Sequence, residues 1–294
     1  MREEIKPEVQ AFVKAHGRPP GLGIVLVGAD PASQVYVRNK LKAAEEVGFY
    51  ADCERMSPDA TLDDVLAVVE RLNRSGVHDG ILVQSPLPKA MGRGASQRVF
   101  DAIAVGKDVD GFAAESIGLL VQNRPQLVAC TPAGVIEMLE REQITIAGTR
   151  AVVLGRSDIV GKPMAMLLLH RDATVTICHS RTLDLAATCR QADILVAAVG
   201  RPGFVTPEFV KPGATVVDVG INEVTDAAVA ASLFADGHPR LASFAAKGSL
   251  LVGDVHPSVD QVAGALTPVP RGVGPLTITM LMKNTLKAAQ ARVS

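Results

Sequence analysis

Residues 152–163 read VVLGRSDIVGKP, an apolar strand passing through a glycine turn into an apolar helix. Such a turn brings backbone N–H groups and a helix N-terminus to one point, where an anion is held. The spacing departs from the usual dinucleotide fingerprint. Gly155 is the first glycine, Ser157 stands where a second would be, and Gly161 follows six residues after Gly155 rather than five. Ordinary β–α corners also close on glycine, so these letters alone admit a turn without a ligand.

Outward from the turn, PMAMLLLH leads to the strand ATVTIC at 173–178, which ends in His179, Ser180, Arg181 and Thr182. In an NAD site an acidic residue about 20 positions past the glycines accepts the ribose 2′-hydroxyl. No carboxylate stands at this strand end, and Arg156 directly follows Gly155. A guanidinium and a hydroxyl suit a 2′-phosphate, so NADP is expected over NAD. A solvated loop after a strand would also carry residues such as Ser180 and Arg181.

Apolar runs recur at 150–155, 173–178, 193–199 (DILVAAV) and 214–219 (ATVVDV), and earlier at 23–27 (GIVLV), 50–55 and 80–84. Helical patterns separate the early runs at 32–47, 62–74 and around 95–104. Uninterrupted apolar strands alternating with helices predict parallel sheets covered on both faces. The expected fold is therefore α/β, in two α/β domains, the second a Rossmann-type dinucleotide-binding domain. A length of 294 residues suits two domains. Thr131 reads as an N-cap with Pro132 at the first helical position, which predicts a helix linking the domains. The alanine-rich stretch 225–247 reads as a helix plus a surface loop, and 275–291 as a terminal helix. The expected boundaries are 1–130 for the first domain and 131–274 for the second, with 275–294 packing back on the first.

Hydrophobic residues make up 48% of the chain but aromatics only 3%, with no Trp, so the core must be built from aliphatic side chains. A formal net charge of −1 gives no reason to expect nucleic acid or an anionic membrane as partner. MREEIKPEVQ lacks the apolar run of a signal peptide, and no stretch approaches the roughly 18–20 apolar residues of a membrane span. Cys53, Cys130, Cys178 and Cys189 form no CxxC pair, and His16, His78, His170, His179, His238 and His256 form no HExxH. Free thiols, a cytoplasmic location and no metal site are expected.

In YVRNK, Tyr36 and Lys40 share one helix face at i, i+4. Spacing alone does not make them catalytic, since a Tyr–Lys pair on a helix is commonly a solvated face. Gln84 ends a buried apolar strand and is followed by SPLP, which presents its amide at the C-terminal edge of a parallel sheet, where such sheets bind ligands. KDVDGF puts Asp108 and Asp110 in a tight loop before Gly111, a pattern that Asp-rich turns share. The segment TPVPRGVGPLT from Thr267 reads as a stiff loop that lets backbone approach a ligand, or as a hinge.

Taken together, YVRNK, VQSPLP, KDVDGF, CTPAG, GRSDIVGKP, CHSRT, DVGIN, VGDV and TPVPRGVGPLT resemble, in order and spacing, the methylenetetrahydrofolate dehydrogenase/cyclohydrolase family. The resemblance spans about residues 20–285. It implies a two-domain homodimer of one-carbon metabolism and purine biosynthesis, with a tetrahydrofolate derivative in a cleft between the domains and NADP as cofactor. It implies Lys40 as the main catalytic group, Tyr36 as the residue orienting the folate, Gln84 as the lysine's hydrogen-bond partner, and Asp110 as the pterin ligand. Val83, Ser85, Pro270, Gly272, Val273, Gly274 and Pro275 match folate-bordering positions. Gly155, Arg156, Ser157, Gly161, His179, Ser180, Arg181 and Ile221 match the dinucleotide site.

The implied chemistry is physically coherent. Hydride leaves the methylene bridge for the nicotinamide, a step that needs positioning rather than an acid. Water then adds to the cationic methenyl carbon, and a base takes its proton. A lysine serves as that base only when its pKa falls from about 10.4 towards 7–8, and a partly desolvated cleft beside a bound cation pushes that way.

Several positions depart from the family pattern. Arg271 stands for a glycine in PRGVGP, Ser85 for a leucine, Ala129 for a proline and Ser116 for an asparagine. The N-terminus starts late and 225–247 is longer than in compact members. A single-activity or NAD-preferring member, or a folate-binding protein without turnover, remains open at this point. A shikimate-type dehydrogenase would share the cofactor turn but has no use for VQSPLP or KDVDG.

Overall fold

The structure is a computed structural model that describes residues 1–293. The chain divides into two compact units, one formed by 1–130 with the described residues from 277 on and the other by 131–276.

The first unit begins with α1 (Arg2–His16), which buries Ile5, Val9 and Phe12 and ends on Gly17 in the left-handed conformation. Three parallel strands follow: β1 (Gly21–Val27), β2 (Tyr50–Met56) and β3 (Gly80–Val83), in the order β2-β1-β3. Every residue of β1 is buried. Leu22, Ile24 and Leu26 join one apolar cluster and Val25 and Val27 another, so the alternation of a strand feeds cores on both faces of the sheet.

Between the strands run α2 (Pro31–Val47) and α3 (Leu62–Arg74). Both start on side-chain caps. Asp30 accepts from Ser33 N at 2.8 Å before Pro31, and Thr61 forms a capping box with Asp64. Each cap contributes about 1 kcal/mol. After β3 come α4 (Ala95–Asp101) and α5 (Ala114–Val121). The parallel bridge Ile81↔Asp108 lays the connecting segment along β3.

The second unit holds α6 (Cys130–Arg141), β4 (Arg150–Leu154), α7 (Gly161–Leu169), β5 (Thr174–Cys178), α8 (Leu185–Cys189), β6 (Ile194–Ala197) and β7 (Thr215–Asp218). It continues with β8 (Asn222–Val224), α9 (Ala227–Leu233), α10 (Pro239–Lys247), β9 (Leu250–Val252) and β10 (Ala265–Leu266). Five strands form one parallel sheet in the order β10-β7-β6-β4-β5, a doubly wound pattern with β4 between its two successors. β8 and β9 form a separate antiparallel pair.

Several local expectations are corrected. The linking helix includes Thr131 and starts at Cys130, so Thr131 is not its N-cap. Residues 225–247 form two helices rather than one helix and a loop. Arg240 of α10 donates to Val269 O at 3.0 Å and to Leu251 O, so this segment straps the 267–271 loop to β9. The last helix, α11 (Val273–Val293), begins before Pro275, which puts Val273, Gly274 and Pro275 in its first turn rather than in a loop. Its far end returns to the first unit. Asp79, wholly buried, accepts from Arg292 at 2.7 Å, from both Arg18 nitrogens at 2.7 and 2.9 Å, and from Gly21 N at 2.9 Å.

Candidate active site

In the first unit β1 lies between β2 and β3, so the chain leaves β1 and β3 in diverging directions at their C-terminal edge. α2 follows β1 and is fixed there by the Asp30 cap. It buries Val37, Ala44 and Val47 and carries Tyr36 and Lys40 beside that buried stripe. Lys40 Nζ donates to Gln84 Oε1 at 2.9 Å, and Gln84 Nε2 donates to Ser85 O at 2.7 Å. The carboxamide is thus held at both ends at the tip of β3. Tyr36 is exposed, and desolvation raises the pKa of its phenol.

The parallel bridge Ile81↔Asp108 brings this segment against β3, and the turn that follows puts Asp110 within electrostatic reach of Lys40. Burial raises the Asp110 pKa to about 6. The Lys40 ammonium lowers it, the Asp108 carboxylate raises it, and a hydrogen bond from the Cys130 thiol lowers it. Asp108 has another task. It accepts from Gly111 N at 3.1 Å, Ala113 N at 2.9 Å and Ser116 Oγ at 2.6 Å, which shapes the turn that presents Asp110. Ser116 thus completes this clamp. Val83 belongs to an apolar core cluster, so only its backbone is offered to a ligand.

In the second unit the diverging point lies between β4 and β6, and Gly155 sits on it. Its φ is +132°, and a Cβ there would stand 2.2 Å from Ala198 O. A Cβ on Gly161 would meet Gly155 O at 2.4 Å, so α7 starts directly against the turn. Any side chain would push these backbones apart and fill the cradle. Ser157 Oγ accepts from Val160 N and Gly161 N, both at 3.2 Å, and keeps its own O–H to donate to a ligand. His179 Nδ1 accepts from Arg181 N at 3.2 Å, so this ring shapes the loop after β5. The Arg156 and Arg181 guanidiniums carry no hydrogen bond or ion pair to protein among the described residues, and both residues are exposed beside the turn. Backbone cradle, helix N-terminus and free cations fit a phosphorylated dinucleotide.

Sequence reasoning gave no role to Asp218 and Asp254. Asp218 accepts from Gly220 N at 3.0 Å, Asp254 N at 2.9 Å and Val255 N at 3.0 Å. Asp254 accepts from Val199 N at 2.6 Å, Gly200 N at 2.9 Å, Arg201 N at 2.8 Å and Asn222 Nδ2 at 2.9 Å. Burial raises the Asp218 pKa to about 6, against its backbone donors. The two carboxylates gather the chain after β6, β7 and β9 and so set the position of Ile221, which is 41% exposed and available for contact. The signal was present in DVGIN and VGDV, each an aspartate within two residues of a glycine. A Cβ on Gly253 would stand 1.7 Å from Asp218 Oδ2, so the glycine makes room for the carboxylate.

Pro270, Arg271 and Gly272 precede α11. Arg271 has φ +85°, a conformation costly for a side chain, and is exposed. No group of three or more His, Cys, Asp or Glu among the described residues could hold a metal ion, and no helix among them is long and apolar enough to cross a membrane.

Family models match nearly the whole chain. The tetrahydrofolate dehydrogenase/cyclohydrolase catalytic domain matches residues 1–110, and the NAD(P)-binding domain of the same family matches 129–293. The chain belongs to the tetrahydrofolate dehydrogenase/cyclohydrolase family. It is 58% identical to the bifunctional protein FolD of Koribacter versatilis, over 98% of this chain and 94% of that one. It is 54% identical to the FolD protein of Solibacter usitatus, over 99% and 96%. Among solved structures, the bifunctional FolD enzyme of Campylobacter jejuni superposes with a TM-score of 0.86 at 38% identity, covering 99% of this chain and 95% of that one. The FolD enzyme of Trypanosoma brucei, complexed with NADP and an inhibitor, gives 0.87 at 38% identity, over 99% and 94%.

Proposed function

We infer that this member of the family is bifunctional. It oxidises 5,10-methylenetetrahydrofolate to the 5,10-methenyl form with NADP and hydrolyses that product to 10-formyltetrahydrofolate. The observation that carries the reading is the Lys40 amine held at 2.9 Å by the Gln84 amide oxygen at the sheet edge, beside Asp110. The relatives' bifunctional names and the NADP complex of the Trypanosoma brucei enzyme support it.

NADP, when bound, takes up the hydride from the methylene carbon. Gly155, Gly161 and the start of α7 offer the backbone cradle for its phosphates. Arg156, Ser180 and Arg181 supply the cation and hydroxyl for a 2′-phosphate. Asp110 accepts from the N–H edge of the pterin, and an ionised carboxylate does this well with two oxygens. Tyr36 lays its ring against the folate, while Val83, Ser85 and the 270–275 segment border it.

In the second reaction a water molecule adds to the methenyl carbon and its proton passes to Lys40 Nζ. The adduct then collapses to a formyl group on N10 as its bond to N5 breaks and N5 takes the proton back. Gln84 Oε1 takes one N–H of the lysine amine and so turns its lone pair. The enzyme works as a homodimer in the cytoplasm.

The test is a paired assay. Purified protein should reduce NADP with methylenetetrahydrofolate and, separately, hydrolyse methenyltetrahydrofolate. Lys40→Met should abolish hydrolysis, and full hydrolysis by that variant would overturn the lysine-base mechanism. Sedimentation of the purified enzyme reads the dimer.

A further inference from the structure

Asn284 lies on α11 and is 7% exposed. Its Nδ2 donates to Val109 O at 2.8 Å and to Val128 O at 2.8 Å, with Cys130 Sγ alongside at 3.6 Å. Those three groups frame Asp110. Val109 directly precedes it, and the 128–130 segment runs behind its loop.

The two stretches touch backbone to backbone. Gly111 has φ +67°, and a Cβ there would stand 2.7 Å from Ala129 N. The Cys130 thiol lies 3.2 Å from Val109 O and shares its one proton between that carbonyl and Asp110. Asp108 shapes the far side of the turn but reaches neither Val109 O nor Val128 O. The one amide that ties both carbonyls together comes from the last helix, 175 residues along the chain from Val109.

We propose that Asn284 is a positioning residue for Asp110: from the C-terminal helix it fixes the carboxylate where the N–H edge of the folate meets it. This rests on Asp110 as the folate-binding carboxylate. An amide with both N–H groups on carbonyls is hard to replace, because its removal takes the side-chain donor from Val128 O and leaves Val109 O with the weaker Cys130 thiol. The groups facing Asp110 are Lys40 of α2, Asp108 of its own loop and Cys130 of α6. Asn284 adds no charge to this set, so its effect on Asp110 is one of placement.

The experiment measures the Kd of 10-formyltetrahydrofolate by calorimetry in the whole protein. The set is Asn284→Ala, Asn284→Asp, Asn284→Ser, Asp110→Asn and the double variant Asp110→Asn/Asn284→Ala. Asn284→Ala should weaken folate binding about tenfold, the loss expected for a buried hydrogen bond. The Kd for NADP should stay within about twofold, since no group around Asn284 belongs to the dinucleotide cradle. Asn284→Ser, which keeps one donor, should fall between wild type and Ala. It is also the variant that decides if Ala and Asp do not fold. In the Asp110→Asn background, Asn284→Ala should add almost nothing. An undiminished further loss in that background would reduce Asn284 to a general structural role and overturn the proposal, as would wild-type folate binding by Asn284→Ala or Asn284→Ser. Wild-type folate binding by Asp110→Asn would instead overturn the reading of Asp110 itself.

Discussion

The two units use one topological device in opposite ways. Each places its first strand between its two successors, β1 between β2 and β3, and β4 between β5 and β6. Each therefore opens a crevice where the connections diverge. In the first unit the crevice is furnished with side chains: Lys40 from the helix after β1, Gln84 from the tip of β3, Asp110 from the turn beside it. In the second it is furnished with the absence of side chains, at Gly155 and Gly161. One site is damaged by taking atoms away and the other by adding them. The topology provides the place, and local residue choice decides between chemistry and binding.

The largest test of this contrast removes an atom group from the first crevice. Lys40→Met should lower the rate of methenyltetrahydrofolate hydrolysis by about 10²–10⁴, the usual contribution of a positioned base. NADP affinity should not change. Adding one carbon in the second crevice should do the reverse. Gly155→Ala places a Cβ 2.2 Å from Ala198 O and should weaken NADP binding by about a hundredfold, while hydrolysis, which needs no dinucleotide, stays within a few-fold. Equal damage to both activities by Gly155→Ala would break the comparison.

Within the second site, Arg156→Ala should raise the KM for NADP by some tens of fold through loss of a charge-assisted hydrogen bond, and leave the KM for NAD nearly unchanged. Steady-state rates with both dinucleotides read this directly. The smallest effect is a pH dependence confined to the first site. Asp110 titrates at about 6, and on the proposed reading its ionised form accepts from the folate's donors. Affinity for 10-formyltetrahydrofolate should therefore be nearly flat above pH 7 and fall about tenfold by pH 5. The acid limb should vanish in Asp110→Asn, and titration calorimetry should detect proton release on binding near pH 6.

The sequence carried the large strands because each is a run of apolar residues long enough to stand out, as in GIVLV and DILVAAV. It did not carry β8, β9 and β10, which span three, three and two residues and take their strand geometry from their partners. α1 went unread because Pro7 interrupts a sparse apolar stripe of Ile5, Val9 and Phe12. At the sites, the i, i+4 spacing put Tyr36 and Lys40 on one face, but no spacing rule pairs Lys40 with a glutamine 44 residues away. That partner came only with the family resemblance. The Asp218–Asp254 clamp and Asn284 were hidden for the same reason. Their contacts join stretches that meet only after the sheets and α11 have formed, and a single polar residue in an apolar neighbourhood does not announce its partner.

The return of α11 also sets an order of assembly. The second unit is one continuous stretch, available in full once residue 276 has been made. The first unit starts at the N-terminus but lacks part of its core until Leu281, Met282, Leu286, Ala288 and Ala289 arrive, and Asp79 waits for Arg292 of the same helix. During synthesis the part begun first is thus the part finished last. Before α11 has been made, the second unit's parallel sheet is complete, while the first unit still has an open apolar face and a buried carboxylate that lacks one of its arginines. Closure of the first unit's core is thereby tied to α11, whereas the main sheet of the second is drawn wholly from its own continuous stretch.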